Sequence, residues 1–173
     1  MPKWKKISLA IAVISVSAFA FLTWYKFHYS MDVAKSFEIT AQDPEHHLLI
    51  ATQGSNFKNT VVSGVIEALN DRPITIKVID VSGLCSVNLD EWAAVVILHT
   101  WENLKPKVDT KLFLERQRQP DLSKVVILTT SGAGDHKMVG IDAITSASKM
   151  SEVPTHVAET LLRIDLVISE QRR

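Results

Sequence analysis

The stretch His46–Leu69, HHLLIATQGSNFKNTVVSGVIEAL, decides the fold. Leu48-Leu49-Ile50-Ala51 is a short apolar run that meets a polar turn at Thr52-Gln53-Gly54-Ser55-Asn56. Beyond the turn, Val61, Val62, Val65, Ile66 and Leu69 recur at helical spacing. Strand, turn and helix in succession are the opening half of a βαβ unit. The turn is rich in hydroxyl and amide groups, holds one glycine and feeds a helix N-terminus. Free N–H groups and the positive end of the helix dipole suit an anion there, often a phosphate. A bare helix cap is the alternative reading of the same residues.

Upstream of this unit the chain changes character. Lys3, Lys5 and Lys6 precede an uncharged run from Ile7 to Tyr25. As a helix that run spans about 28 Å, close to the hydrocarbon thickness of a bilayer. Trp4 stands at one end and Trp24 with Tyr25 at the other, where aromatic rings prefer the interface. The basic end belongs in the cytoplasm, which places the following domain outside it, facing the periplasm or cell exterior. Ala18-Phe19-Ala20 fits the cleavage site of a signal peptide, but Phe21 to Tyr25 carry the apolar run past it, which favours an uncleaved single-pass anchor. Lys26 to Pro44 has no strong period and reads as a linker or a juxtamembrane helix with Phe27, Met31, Ala34 and Phe37 as a stripe. The soluble domain then begins at residue 45.

Downstream, Ile74–Val81 and the unbroken run Ala93–Leu98 read as strands, the second covered on both faces. Val108 to Gln119 reads as a helix burying Val108, Leu112 and Phe113. Lys124–Thr130 is a further buried strand and Ile141–Thr145 a shorter one. Pro154 opens a last helix with an apolar face of Val157, Leu161, Leu162, Ile164, Leu166, Val167 and Ile168. Strands alternating with helices imply a three-layer α/β/α sandwich on a mostly parallel, five-stranded sheet. The connection from Ser131 to Gly140 is short for a parallel crossover, so its helix is missing or reduced to a turn.

The totals exclude several functions. Lys plus Arg and Asp plus Glu number 19 each among 173 residues, so no global charge points to nucleic acid. Cys85 is alone, which excludes an intrachain disulfide and a cysteine-built metal site. It reads as a buried small hydrophobe. No G-x-S-x-G occurs, which argues against a serine hydrolase. His99, Glu102, Asp135 and His136 fall in adjacent loops but have no metal-ligand spacing, and His46-His47 reads as a solvated entry pair. Lys105, Lys107 and Lys111 form a solvated basic face.

In an open α/β sheet, ligands bind beyond the carboxyl ends of the strands. There the chain places Thr52, Gln53, Gly54, Ser55 and Asn56, then Thr100 and Trp101, then Thr130, Ser131, Gly132 and Gly134, then Ser148. The order of elements and these loop contents resemble the flavodoxin-like family. The first loop is similar to its phosphate loop, T/S-x-T-G-x-T/S, with Thr52 at the first position and Gly54 at the third. Ser55 stands where that pattern has glycine and Phe57 where it has the last hydroxyl. VVILHTWENLKPKV and KVVILTTSGAGD are similar to the strands and loops that flank the flavin ring. The resemblance implies FMN as cofactor, its phosphate on residues 52–56, Trp101 stacked on the ring, and Gly132 and Gly134 admitting backbone to the ring edge. Electron transfer at the envelope with a redox or membrane-complex partner follows from it. A flavin-free interaction module of a membrane-associated complex is the alternative. DAITSAS, residues 142–148, is similar to the D-x-x-S/T-G-A-T motif of covalent flavin attachment, with Ser146 for the glycine and Ser148 for the acceptor threonine.

Overall fold

The computed structural model describes residues 2–29, 31–118 and 120–171, with backbone alone for 25–29. The chain divides into two compact units between Met31 and Asp32. The first is one helix, α1 (Lys3–Tyr29). Its segment Lys3–Trp24 is long and apolar enough to cross a membrane, a property that signal sequences share.

In the second unit, β2 (His46–Thr52), α2 (Asn56–Leu69) and β3 (Ile74–Asp80) form the βαβ unit expected of the central stretch. β4 (Ala94–Thr100), α3 (Val108–Glu115), β5 (Val125–Thr130), β6 (Ile144–Ser146) and α4 (Val153–Glu170) follow. Two 3-10 turns, Val81–Ser86 and Leu89–Glu91, replace a helix between β3 and β4. No helix lies between β5 and β6, as the short spacing implied.

The sheet has six strands rather than five. The added one is β1 (Phe37–Ile39), inside the segment read as a linker, and it pairs antiparallel with β3 through Phe37↔Val78, Glu38↔Lys77 and Ile39↔Ile76. An uncovered β3 would present a row of unpaired backbone groups, and this short strand covers it. The juxtamembrane stripe therefore does not form, because Phe37 belongs to a strand. Phe27 lies outside the described side chains. The remaining strands run parallel in the order β3-β2-β4-β5-β6. Numbered among themselves that is 2-1-3-4-5, the order of a flavodoxin-like fold.

Side-chain alternation along the strands divides the core in two. Leu48, Ile50, Val96 and Leu98 pack against Val61, Val65 and Leu69 of α2 and Ile164 of α4. Leu49, Ala51, Val95 and Ile97 pack against Leu84, Phe113 and Leu114 on the other face. α3 thus buries Thr110, Phe113 and Leu114, while Val108 and Leu112 are exposed, contrary to the expected face. A helix of two turns has one narrow inward stripe, and the i, i+3, i+4 set takes it. Leu162 and Leu166 of α4 are likewise exposed, and so is Cys85.

The entry to the second unit is tied to the first loop. Asp32 and Gly54 exchange both backbone hydrogen bonds, at 3.0 and 2.7 Å. The Asp80 carboxylate accepts from Ala34 N at 2.8 Å and from Ser82 N at 2.9 Å. A Cβ on Gly54 would stand 2.7 Å from the Asp32 carbonyl oxygen. Gly54→Ala is expected to open this bridge and cost about 1–3 kcal/mol, read as a lowered midpoint in urea unfolding with the slope unchanged.

Candidate functional site

Parallel strands deliver their carboxyl ends to one edge, and the residues anticipated there arrive together. Thr52 ends β2 with its hydroxyl donating to the Gln53 carbonyl at 3.2 Å. Gln53, 2% exposed, is a clamp to β4. Its Oε1 accepts from Thr100 N at 2.6 Å, its Nε2 donates to Glu102 Oε1 at 3.3 Å, and its own N–H donates to the Leu98 carbonyl at 3.2 Å. Ser55 is the N-cap of α2, its Oγ accepting from Lys58 N at 3.2 Å, and Asn56 Nδ2 reaches Met150 Sδ at 3.8 Å.

The residue that loop composition did not reveal is Lys58. It is 1% exposed, and its Nζ lies 3.4 Å from Ser55 Oγ at the amino-terminal turn of α2. Burial lowers its pKa to about 8, with the Glu102 carboxylate pulling in the opposite sense. A lysine near a helix start normally snorkels to water. Only the S-x-x-K spacing, which brings an ammonium back over its own cap serine, signals this arrangement.

On the ring side, Trp101 N donates to the Thr130 carbonyl at 2.8 Å, and the Thr100 and Thr130 hydroxyls are 2.8 Å apart. The Trp101 ring lies 5.2 Å from that of His136, tilted by 57°. Ser131 Oγ accepts from Gly134 N at 2.9 Å. Gly132 has open space where a Cβ would be, whereas Gly134, at φ +76°, lies so close to Ala147 that a Cβ would stand 2.7 Å from its backbone N. The second glycine is thus required by chain packing. Ser148, exposed and at φ +59°, donates its N–H to Ser146 Oγ at 3.1 Å.

The histidine and carboxylate candidates separate. His99 lies within β4, 1% exposed, because the strand runs beyond the apolar run read from sequence. Burial lowers its pKa to about 4, and the Lys58 charge adds to this. Asp135 and His136 instead form an exposed pair at 2.7 Å. The buried His99 Nδ1, Thr129 Oγ1 and Thr110 Oγ1 have no hydrogen-bond partner among the described residues, and neither does Trp101 Nε1. His99 and Thr129 are register partners on adjacent strands.

FMN needs a seat for its dianionic phosphate and a flat slot for its ring. The first is met by the Lys58 ammonium at the start of α2, and the second by the Trp101 ring, with its partnerless Nε1–H, beside the open Gly132 backbone. These residues fit the group.

No family model matches the chain, and neither does any curated protein. Among solved structures it is similar to a flavodoxin from the domain Archaea, at 10% identity and a TM-score of 0.45, covering 70% of this chain and 98% of that one. It is also similar to a metal-soaked flavodiiron core from Synechocystis sp. PCC6803, at 7% identity and 0.49, covering 75% of this chain and 37% of that one. An apo NADH:FMN oxidoreductase gives 12% identity and 0.45, covering 72% and 89%. Likeness at this level concerns the chain path alone; the strand order establishes the fold class.

His99 makes stability depend on pH. Unfolded, it takes up a proton below its ordinary value of 6.5; folded, it does so only near 4. The unfolded chain binds more protons between those values, so stability is lost as pH falls through that window, by roughly 3 kcal/mol in all. Urea midpoints measured from pH 7 to pH 4 should fall steeply, and His99→Leu should flatten the profile.

Proposed function

We propose that this chain is a membrane-anchored flavodoxin-like domain that binds FMN, or a ligand carrying the same phosphate, for electron transfer at the cell envelope. The observation that carries this reading is Lys58. Its buried ammonium and the amino-terminal turn of α2 put two sources of positive potential at the loop where this fold receives a phosphate. Lys58 with Ser55 and Asn56 would hold the phosphate, while Thr52 and Gln53 fix the loop beneath it. Trp101 offers an aromatic face and Gly132 a backbone without a side chain, and Thr100, Thr130 and Ser131 supply hydroxyls at the same edge. FMN, when bound, supplies one- and two-electron chemistry, so the protein's share is seating, orientation and exclusion of water. The basic start of α1 favours a cytoplasmic end there, with the domain on the periplasmic or outer side of the inner membrane.

A second reading, a flavin-free module that binds a membrane-complex partner, draws support from the closed loop contacts. Gly54 is occupied by Asp32, Gly134 by Ala147, and Trp101 packs on His136.

Purified full-length protein titrated with FMN separates the two. Binding at micromolar levels is expected, weakened roughly 10- to 100-fold by Lys58→Met, which removes one charge-assisted contact. Affinity should fall as pH rises through about 8, where Lys58 loses its proton. A wild-type chain that binds neither FMN nor inorganic phosphate sinks the first reading. Yellow colour that survives denaturation and is lost in Ser148→Ala would support covalent attachment at Ser148.

A further inference from the structure

Backbone groups of successive strand residues point to alternate sides, and in β5 that alternation leaves two of them over. Trp101 N donates to the Thr130 carbonyl on the β4 side, and Ser131 N donates to the Ser146 carbonyl on the β6 side. Thr130, Leu128 and Val126 therefore address β4, while Thr129, Ile127 and Val125 face the other way. β6 reaches only as far as the Leu128↔Ile144 register, which engages Thr129 and the Ile127 carbonyl. Val125 N donates to the Leu122 carbonyl. The Ile127 N–H and the Val125 carbonyl remain, with no hydrogen-bond partner among the described residues.

The segment before β6 does not meet them. Ile141 N donates to the Met138 carbonyl at 3.2 Å, with Gly140 at φ +75° inside that turn, and the chain joins the sheet only at Ile144. Between β5, this turn and α4 lies a cavity of about 330 Å³. Val126 and Ile127 face opposite sides of the sheet and both line it, so it runs along the edge of the strand rather than over one face. Its walls are apolar at Leu122, Ile141, Leu166 and Val167.

The chemistry of this cleft selects an occupant. A donor and an acceptor two residues apart on one strand edge are the pair that a single residue of an added strand satisfies. Its N–H meets the Val125 carbonyl and its carbonyl meets the Ile127 N–H. A purely apolar small molecule would leave both groups unmet, at a cost. Charge narrows the choice further. Among the lining residues, Asp142 and Glu170 stand against Arg163 alone. Arg163 is shared by two carboxylates, donating to Asp142 at 2.8 Å and to Glu159 at 3.1 Å, whereas Glu170 has no ion pair among the described residues. Basic side chains are therefore favoured beside the cleft, and two copies of this chain paired edge to edge would set like charges together.

We propose that the edge of β5 at Val125–Ile127 receives an extended segment of a partner protein, which adds a strand there. An apolar residue of that segment enters the cleft, and basic residues flank it. The proposal depends on neither flavin nor the anchor.

The test uses the full chain in lipid nanodiscs, with the peptide acetyl-Lys-Thr-Val-Thr-Lys-amide as probe. Saturable binding at about 1 mM or tighter is expected, with exchange of the Ile127 amide slowed at least about fivefold and the amides of β1 unchanged. N-methylation of the central valine, which removes one main-chain hydrogen bond, should weaken binding about fivefold. Leu166→Trp, at a position 54% exposed, should fill the cleft and block the peptide without unfolding the chain. Glu170→Lys should weaken binding about threefold and improve that of the same peptide with glutamate at both ends. No binding at roughly ten times the stated concentration overturns the proposal, and so does binding that ignores both N-methylation and Leu166→Trp. Binding indifferent to Glu170→Lys overturns the preference for basic residues. Protection of Ile127 that rises with protein concentration, without peptide, assigns the edge to a second copy and overturns the partner segment.

Discussion

An ammonium kept out of water beneath the start of a helix is electrostatically awkward, and the carboxyl edge is arranged around that fact. Lys58 lies over Ser55, its own cap, and the carboxylate nearest in effect is Glu102 from the loop after β4. Gln53 joins the two elements, taking the Thr100 N–H and giving its amide to Glu102. The buried charge is thus linked directly to Ser55 and Glu102, and through Glu102 to Gln53 and Thr100. The same charge reaches the other face of the sheet, where it helps to keep His99 neutral. A network so dependent on satisfied polar contacts specifies a unique loop geometry, which a ligand seat requires.

What the sequence made legible was the periodic part. The apolar run of β2, the polar turn and the helical spacing of α2 are local signals and agree with the structure. β1 was not legible because three residues of alternation mean nothing until the edge of β3 is there to receive them. His99 looked like a loop residue because β4 continues past its apolar run and buries the extension. Val108 and Leu112 looked buried because a longer helix would have had room for them. At the site, the loop residues were visible from composition, but the burial of Lys58 was not. Lysine is normally a surface residue, and the inward course of this one depends on tertiary packing. Gly134 was read as making room for a ligand, yet its neighbour is Ala147, distant enough in sequence to be invisible there.

The edge strands differ in how they are secured. β1 is held at one side of the sheet by its pairing with β3, with the Asp32–Gly54 bridge and the Asp80 carboxylate fixing the chain just before it. The opposite side has no such reinforcement.

β6 meets β5 at only three positions, Leu128↔Ile144, Thr129↔Thr145 and Thr130↔Ser146, and the segment joining them contains no helix. Free energies of local opening follow the number of contacts that must be broken together. The sheet therefore has a cheap end and an expensive end, and the cheap one includes His136 against Trp101. Excursions of residues 131–146 can expose the indole face while β2, β3 and β4 remain paired. Exposure of the indole face and the stability of the fold as a whole are then set by different parts of the same sheet.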